Sequence, residues 1–205
     1  MLETIRWHGA ASFALLNGVH VYINPRRVAR PERPADLILI SSSQYDHCSL
    51  ADIDKLRGEQ TRIIVGPSAA EAVTGEVVVL RPWQSTSAER ACVKALPVYR
   101  ADGRPDESGD VGFVISTHLY DVYYTGRTAA LPDTSSTRPD VIILPIGSAS
   151  EMSAEQTVAA LKQMRPRWVV PYGWQGVGRT GRAEVQEFAS LLDPSQQVVT
   201  LEPNP

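Results

Sequence analysis

Two adjacent residues, Asp46 and His47, carry side chains suited to holding a metal ion. They stand in the segment SSSQYDHC, Ser41 to Cys48, directly after the apolar run DLILI. A loop that follows a strand and carries carboxylate and imidazole groups is a common way to bind zinc, iron or manganese. Because a single Asp-His pair also arises by chance, the segment alone is compatible with a metal site, an altered metal site or an ordinary loop.

Short apolar runs separated by turn residues predict a sheet-rich fold around this segment. The runs DLILI, RIIVG and DVIILP do not alternate with polar residues, which is typical of strands buried on both faces. Asn17-Gly18 predicts a two-residue hairpin turn. Capping patterns that begin at Ser49, Ser68 and Ser153 predict helix starts. Sheet-rich stretches punctuated by helices suggest two sheets packed together and covered by helices.

The overall composition is that of a globular domain. The chain has 205 residues, of which 43% are hydrophobic and 21% charged, and this length fits one domain better than two. The formal net charge of -3 gives no electrostatic footprint for nucleic acid. No apolar run approaches the ~20 residues that span a bilayer, and the first residues make a poor secretory signal. We therefore expect a cytoplasmic protein with neither a nucleic-acid nor a membrane partner.

The order of the segments resembles the metallo-β-lactamase-fold hydrolases, and most closely the small metal-dependent hydrolases that include the ascorbate-6-phosphate lactonases. The resemblance is carried by TIRWHGAASF, VHVYINP, PADLILISSSQYDHCSLADIDKL, VVVLRPWQS, KALPVY, VGFVI, YYTGRT, DVIILPIGSASEMSAEQTVAALKQMRPRWVVPYGW and VVTLEP. It runs over nearly the whole chain. It implies an α/β protein with one domain over residues 1–205, an αββα sandwich, and a metal site at the edge where the two sheets meet.

This chain departs from the family at most of the metal-binding positions. The family motif His-x-His-x-Asp-His reads here as Ser42, Gln44, Asp46 and His47, so the last two ligands are present and the first two are not. The remaining positions at which the resemblance implies a histidine or an aspartate hold Ala10, Asn24, Arg104 with Pro105, Arg127 and Gly173.

These departures lead to an expectation about function. Serine and neutral glutamine are poor zinc ligands, and an arginine repels a cation. We predict a metallo-β-lactamase-fold protein that has lost most metal ligands and has a non-catalytic binding or regulatory role. No cofactor is expected, apart from a single zinc or manganese ion held weakly by Asp46 and His47. We also expect Arg127 to pair with Asp46 in the place of the metal.

Two other interpretations stay open. In the first, the chain is a hydrolase of lactones, esters or phosphodiesters with an altered site, and Asp46 and His47 either hold one metal ion or act as a metal-free acid–base pair. In the second, the chain is a structural partner, as a homo-oligomer or paired with an active relative. A serine hydrolase is disfavoured, because neighbours on one loop rarely form a triad and no G-x-S-x-G elbow is present.

The predicted binding pocket combines the motif residues with those at the other ligand positions. Its members are Ser42, Gln44, Asp46, His47, Arg104, Arg127, Tyr172, Gly173 and Trp174. Asp46 and His47 are the catalytic candidates. The arginines favour a small anionic ligand, such as a phosphorylated metabolite. The aromatic rings of Tyr172 and Trp174 either fill the space between the sheets or stack on a ligand.

Overall fold

The computed structural model describes residues 2–88, 90–132, 137–147, 150–173 and 179–203. The strands of the first half are β1 (Ile5–Gly9), β2 (Ser12–Leu16), β3 (His20–Ile23), β4 (Leu37–Ile40), β5 (Arg62–Val65) and β6 (Val78–Val79). Those of the second half are β7 (Ser85–Ala88), β8 (Ala91–Pro97), β9 (Val111–Thr117), β10 (Asp121–Tyr124), β11 (Val141–Pro145), β12 (Trp168–Tyr172) and β13 (Gln197–Val198). The α-helices are α1 (Leu50–Leu56), α2 (Ala154–Met164) and α3 (Arg179–Ser190).

The strands form two mixed sheets with similar internal organisation. The first sheet has the order β1-β2-β3-β4-β5-β6, antiparallel from β1 to β3 and parallel from β3 onward. The second has the order β13-β12-β11-β10-β9-β8-β7, antiparallel from β7 to β10 and parallel from β10 to β13. Loops at the carboxyl ends of parallel strands are a frequent location for binding sites, because they gather side chains from several strands.

Buried side chains hold these sheets and the helices together in four layers. The cluster between the two sheets includes Phe13 and Tyr124. A second cluster joins the outer face of the first sheet to Ile53 of α1. A third joins the outer face of the second sheet to Leu161 of α2 and Phe188 of α3. The predicted αββα sandwich, formed by one domain, is confirmed.

The capping patterns at Ser153 and Ser68 have different outcomes. The Ser153 hydroxyl accepts a hydrogen bond from the Gln156 backbone N–H at 3.2 Å, and the Gln156 side chain accepts one from the Ser153 N–H at 2.9 Å, which completes the predicted box at the start of α2. The helix predicted at Ser68 is wrong, since only a 3₁₀ turn forms at Pro67–Ala69. The Ser68 hydroxyl donates instead to the Asp110 carboxylate at 2.6 Å, which links this turn to the second sheet.

The turn predicted at Asn17-Gly18 does connect β2 and β3. Because Leu16 pairs with His20, the connection contains three residues and not two. Gly18 has φ 94°, a conformation that residues with a side chain rarely adopt, which explains a glycine at this point. In the part of the chain that the structure describes, no helix is long and apolar enough to cross a membrane.

Candidate functional site

A cavity of about 620 Å³ lies where loops from both sheets meet. The loop after β4 contributes Asp46 and His47, and the loop after β10 contributes Arg127. Glu151 comes from the loop after β11, and Tyr172 is the last residue of β12. The cavity therefore lies at the sheet edge where the resemblance places a metal site.

The structure brings together some members of the predicted pocket and separates others. Asp46, His47, Arg127, Tyr172 and Gly173 line the cavity. The residues that do not line it are Ser42, Gln44 and Arg104. Trp174 lies outside the described residues, so its predicted role is not addressed.

Ser42 and Gln44 shape the loop that carries His47. The Ser42 side chain is buried, and its hydroxyl accepts a hydrogen bond from the Gln44 N–H at 3.2 Å. The Gln44 carbonyl accepts hydrogen bonds from the backbone N–H groups of His47 and Cys48, at 2.8 and 2.9 Å. The Gln44 side chain itself is exposed. These two residues thus fix the turn that places His47 at the cavity, and neither faces it.

Arg104 was predicted to line the pocket because the resemblance implies a metal ligand at this position, and the structure does not place it there. It is exposed in the loop after β8, where its N–H donates to the Asp102 carboxylate at 3.0 Å and its carbonyl accepts from the Arg100 N–H at 2.9 Å. The prediction failed because no sequence pattern between Arg100 and Gly112 indicates the conformation of this loop.

Asp46 and His47 form a hydrogen-bonded pair at the cavity wall. Nδ1 of His47 lies 2.9 Å from Oδ1 of Asp46, and the two side chains are 3% and 47% exposed. The hydrogen bond from His47 lowers the pKa of Asp46 to about 2 against the effect of burial, and the positive charge of Arg127 contributes to the decrease. An ionised carboxylate can only accept, so Nδ1 carries the hydrogen.

The other ring nitrogen of His47 is the unusual feature of the pair. Nε2 is buried and has no hydrogen-bond partner among the residues that the structure describes. With the hydrogen on Nδ1, Nε2 of the neutral ring presents a lone pair, which is the form in which histidine binds metals and accepts protons. A buried polar atom without a partner is unfavourable, and binding of an ion or a catalytic role is one explanation for such an atom in a native protein.

Arg127 does not pair with Asp46, and that prediction is wrong. Among the described residues its guanidinium forms an ion pair with Glu151, at 3.9 Å between Nη2 and Oε1. Both side chains of this pair are well exposed, at 38% and 60%, so water screens the interaction and the guanidinium stays available to a ligand. Gly126 precedes Arg127 and has φ 69°. A Cβ at this residue would lie 2.8 Å from the Val111 carbonyl oxygen, which explains a glycine at this point.

A buried polar network joins strand ends of both sheets next to the cavity. The Asn24 side chain accepts a hydrogen bond from the Ser41 N–H at 2.8 Å and donates to the Ser41 hydroxyl at 3.0 Å and to the Tyr124 hydroxyl at 2.9 Å. The Tyr172 hydroxyl donates to that of Tyr124 at 3.3 Å. Burial raises the pKa of Tyr124 to about 12, so this phenol is protonated at neutral pH. The network ties the ends of β3 and β4 to those of β10 and β12.

The ring of Tyr172 fills space between the sheets. It is 5% exposed, stacks on Tyr124 with 6.0 Å between ring centroids, and meets Phe13 edge-on at 5.4 Å. Of the two roles considered for this ring, the contacts therefore favour packing over stacking on a ligand.

The donor set fits one metal ion better than two. In the described ranges, no group of three or more His, Cys, Asp and Glu side chains is arranged to hold an ion. The partnerless Nε2 of His47 and the carboxylate of Asp46 do line one cavity and are donors of the right type for zinc or manganese. A single ion at Nε2 would lie on the opposite side of the ring from Asp46 and would take its other ligands from water or substrate.

Glu151 was missed by the sequence interpretation. It follows the buried strand β11 much as Asp46 follows β4, and both carboxylates line the cavity. An acidic residue shortly after a buried strand was the available signal. The polar stretch GSAS, 147–150, which separates Glu151 from the strand, obscured it.

Curated proteins of similar length align with nearly the whole chain. A protein of Pyrococcus abyssi named UPF0173 metal-dependent hydrolase is 26% identical over 220 residues, covering 97% of this chain and 96% of that protein. A protein of Thermoplasma acidophilum with the same family name is 26% identical over 204 residues, covering 91% and 89%. Among solved structures, Igni18, a metallo hydrolase from Ignicoccus hospitalis, is 20% identical with a TM-score of 0.74, covering 98% of this chain and 95% of that one. The last similarity supports the fold.

These comparisons correct two expectations. The prediction of a non-catalytic binding or regulatory protein is wrong, because relatives that match from end to end are named metal-dependent hydrolases. The expectation of no cofactor is wrong for the same reason. The alternative of a metal-dependent hydrolase with an altered site agrees better with the relatives. The loss of motif ligands was given too much weight, because water and substrate can complete a metal's coordination.

Membership of the larger family rests on a match over most of the chain. The family model described as Beta-lactamase superfamily domain matches residues 4–173. The matched range includes β1 to β12, the loop that carries Asp46 and His47, and the Tyr172 end of the cavity. The αββα architecture agrees with that match, and the chain belongs to the beta-lactamase superfamily.

Proposed function

We propose that this protein is a metal-dependent hydrolase that uses one divalent ion at His47, whose ring is oriented by Asp46, to hydrolyse a small anionic ester, lactone or phosphodiester. The observation that carries the proposal is the buried Nε2 of His47, which has no partner in the described part of the chain and belongs to a ring fixed by Asp46. The relatives' name and the superfamily match support hydrolysis as the reaction class.

Each member of the pair has a distinct task in this proposal. His47 would hold the ion through Nε2, while its Nδ1–H bond to Asp46 fixes the tautomer and the orientation of the ring. Asp46 would act from the opposite side of the ring, as the partner that orients the ligand and not as a ligand itself, because a carboxylate bonded to Nδ1 does not reach an ion at Nε2. A bound divalent ion lowers the pKa of a coordinated water and polarises a carbonyl or phosphoryl oxygen of the substrate.

Arg127 supports an anionic substrate. Its guanidinium lines the same cavity, and its ion pair with Glu151 is long and exposed. With a divalent ion in place, the cations at the cavity outweigh the carboxylates of Asp46 and Glu151. A planar guanidinium can bind a carboxylate or phosphate through two parallel hydrogen bonds.

The proposal is tested by removing and restoring the metal. Untagged protein is dialysed against chelator, reloaded with zinc or manganese, and assayed with bis(4-nitrophenyl) phosphate, 4-nitrophenyl acetate and a simple lactone. We expect turnover of at least one substrate that falls more than about 100-fold on chelation and returns on reloading. Turnover that is insensitive to chelation, or absent in every metal form, would refute the proposal.

Replacing Arg127 by alanine is expected to raise KM for the anionic probe, bis(4-nitrophenyl) phosphate, by about 10- to 100-fold. This range corresponds to the loss of hydrogen bonds to a charged group, about 1.5–3 kcal/mol. Steady-state kinetics with both nitrophenyl probes measure it, and KM for neutral 4-nitrophenyl acetate should change less than about threefold. Arg104→Ala is the matched control, because this arginine is exposed and does not line the cavity. Equal effects of the two substitutions would contradict a binding role for Arg127.

A further inference from the structure

We infer that Tyr172 is a further catalytic residue, whose hydroxyl donates a hydrogen bond to the substrate oxygen that gains negative charge during hydrolysis. The inference rests on the proposed function and deepens it. It assigns to the second sheet a task that the pair in the first sheet cannot perform, since Asp46 accepts hydrogen bonds and Nε2 of His47 would hold the metal ion.

The ring of Tyr172 is held in place before any substrate binds. Tyr172 ends β12, pairs with Pro145 of β11, and accepts a hydrogen bond from the Ile146 N–H on its carbonyl at 2.9 Å. Its ring is clamped by the stack on Tyr124 and the edge contact with Phe13. Donors that need no reorganisation during the reaction stabilise a developing charge most effectively.

The hydroxyl of Tyr172 is only weakly engaged inside the protein. Its bond to the Tyr124 hydroxyl is 3.3 Å long, whereas hydroxyl–oxygen hydrogen bonds are typically about 2.7–2.8 Å. Tyr124 also accepts from the Asn24 side chain at 2.9 Å, so it keeps a good partner when Tyr172 turns its hydrogen elsewhere. Rotation about the C–O bond is enough to redirect this hydrogen.

Tyr172 also lies among the groups that would surround a substrate. It lines the same cavity as His47, Asp46 and Arg127. A tyrosine with the usual pKa of about 10 is protonated at neutral pH, and burial raises the pKa of Tyr172 further. The phenol is therefore available as a donor throughout the physiological range.

The reaction step is balanced without any net change in Tyr172. The oxygen of a water molecule forms a bond to the carbonyl carbon or the phosphorus, and the bond to the leaving-group oxygen breaks. The proton released by the water ends on the leaving group. Tyr172 keeps its proton and donates a hydrogen bond to the carbonyl or phosphoryl oxygen while that oxygen carries additional negative charge.

Binding of inorganic phosphate tests the inference separately from turnover. Phosphate presents charged oxygens to the cavity, and isothermal titration compares as-purified wild type, Tyr172→Phe and Tyr123→Phe. Tyr123 is the matched control, because its hydroxyl is also buried, has no hydrogen-bond partner within the described ranges, and belongs to a side chain that packs in the outer cluster of the second sheet. We expect Tyr172→Phe to bind phosphate about tenfold more weakly, as for the loss of one hydrogen bond to a charged group. Tyr123→Phe should bind like wild type.

Kinetics and stability complete the test. On a neutral ester or lactone that wild type turns over, Tyr172→Phe should lower kcat about 100-fold with KM changed less than threefold, while metal content and Tm stay close to wild type. Undiminished phosphate binding by Tyr172→Phe, or no phosphate binding by wild type, would overturn the inference. If phosphate binds through Tyr172 but wild type hydrolyses nothing, the proposed hydrolase function fails and an oxyanion-binding role for Tyr172 stands.

Discussion

His47→Ala is expected to remove metal binding and to lower kcat/KM by more than about 100-fold. The loss of an outer partner of a metal-binding histidine already costs about 10- to 100-fold, and His47 would be a direct ligand. A single protein donor leaves no redundancy at this site, since no group of three His, Cys, Asp or Glu side chains in the described part of the chain is arranged to hold an ion. Bound metal per chain and steady-state kinetics, measured on the same preparation, test the expectation.

His118→Ala is the control for this substitution. His118 is exposed in the turn between β9 and β10 and does not line the cavity, so its removal should leave metal content and turnover unchanged. The account would be contradicted if His47→Ala kept its metal and its activity, or if both variants lost them to the same extent.

Asn24→Ala is expected to have the largest effect on stability, lowering the free energy of unfolding by about 3 to 5 kcal/mol. Asn24 is fully buried and uses both ends of its amide, so alanine would leave the Ser41 N–H without a partner, remove a donor from the Ser41 hydroxyl, and leave the Tyr124 hydroxyl only its 3.3 Å bond from Tyr172. Each buried group that loses its partner costs about 1–3 kcal/mol. Asn24 also has φ 47°, a left-handed conformation that asparagine adopts more readily than alanine. Urea denaturation measures the change.

Asn24→Gly separates the two contributions. Glycine adopts the left-handed conformation freely but, like alanine, lacks the amide. It should therefore be more stable than the alanine variant by about 1 kcal/mol and still less stable than wild type. If Asn24→Ala remained within 1 kcal/mol of wild type, the network would not hold the strand ends together.

The fold was largely predictable because its strongest signals are local. Buried parallel strands such as β4 and β11 are continuous apolar runs, and the capping box at Ser153 is complete within four residues. The edge strand β7, STSA, was missed because it is polar and largely exposed and is defined by pairing with β8. Its existence depends on a neighbour and not on its own composition.

The candidate site was predictable only where its members are adjacent in sequence. Asp46 and His47 form their hydrogen bond as neighbours on one loop, so the motif itself indicated the pair. The partner of Arg127 was not predictable, because the choice between Asp46 and Glu151 depends on how loops from different sheets meet. The hydrogen bond of Tyr172 was not predictable either. The resemblance placed this residue at the site, but the partner of its hydroxyl, Tyr124, is distant in sequence.

The most direct test of the account is the metal content of the wild-type protein. Untagged protein is offered zinc and manganese, desalted, and analysed by elemental mass spectrometry alongside His47→Ala. The account predicts about one ion per chain in wild type and only traces in the variant. Traces alone in both proteins after desalting, or an equal amount of bound metal in both, would contradict a metal site at Asp46 and His47.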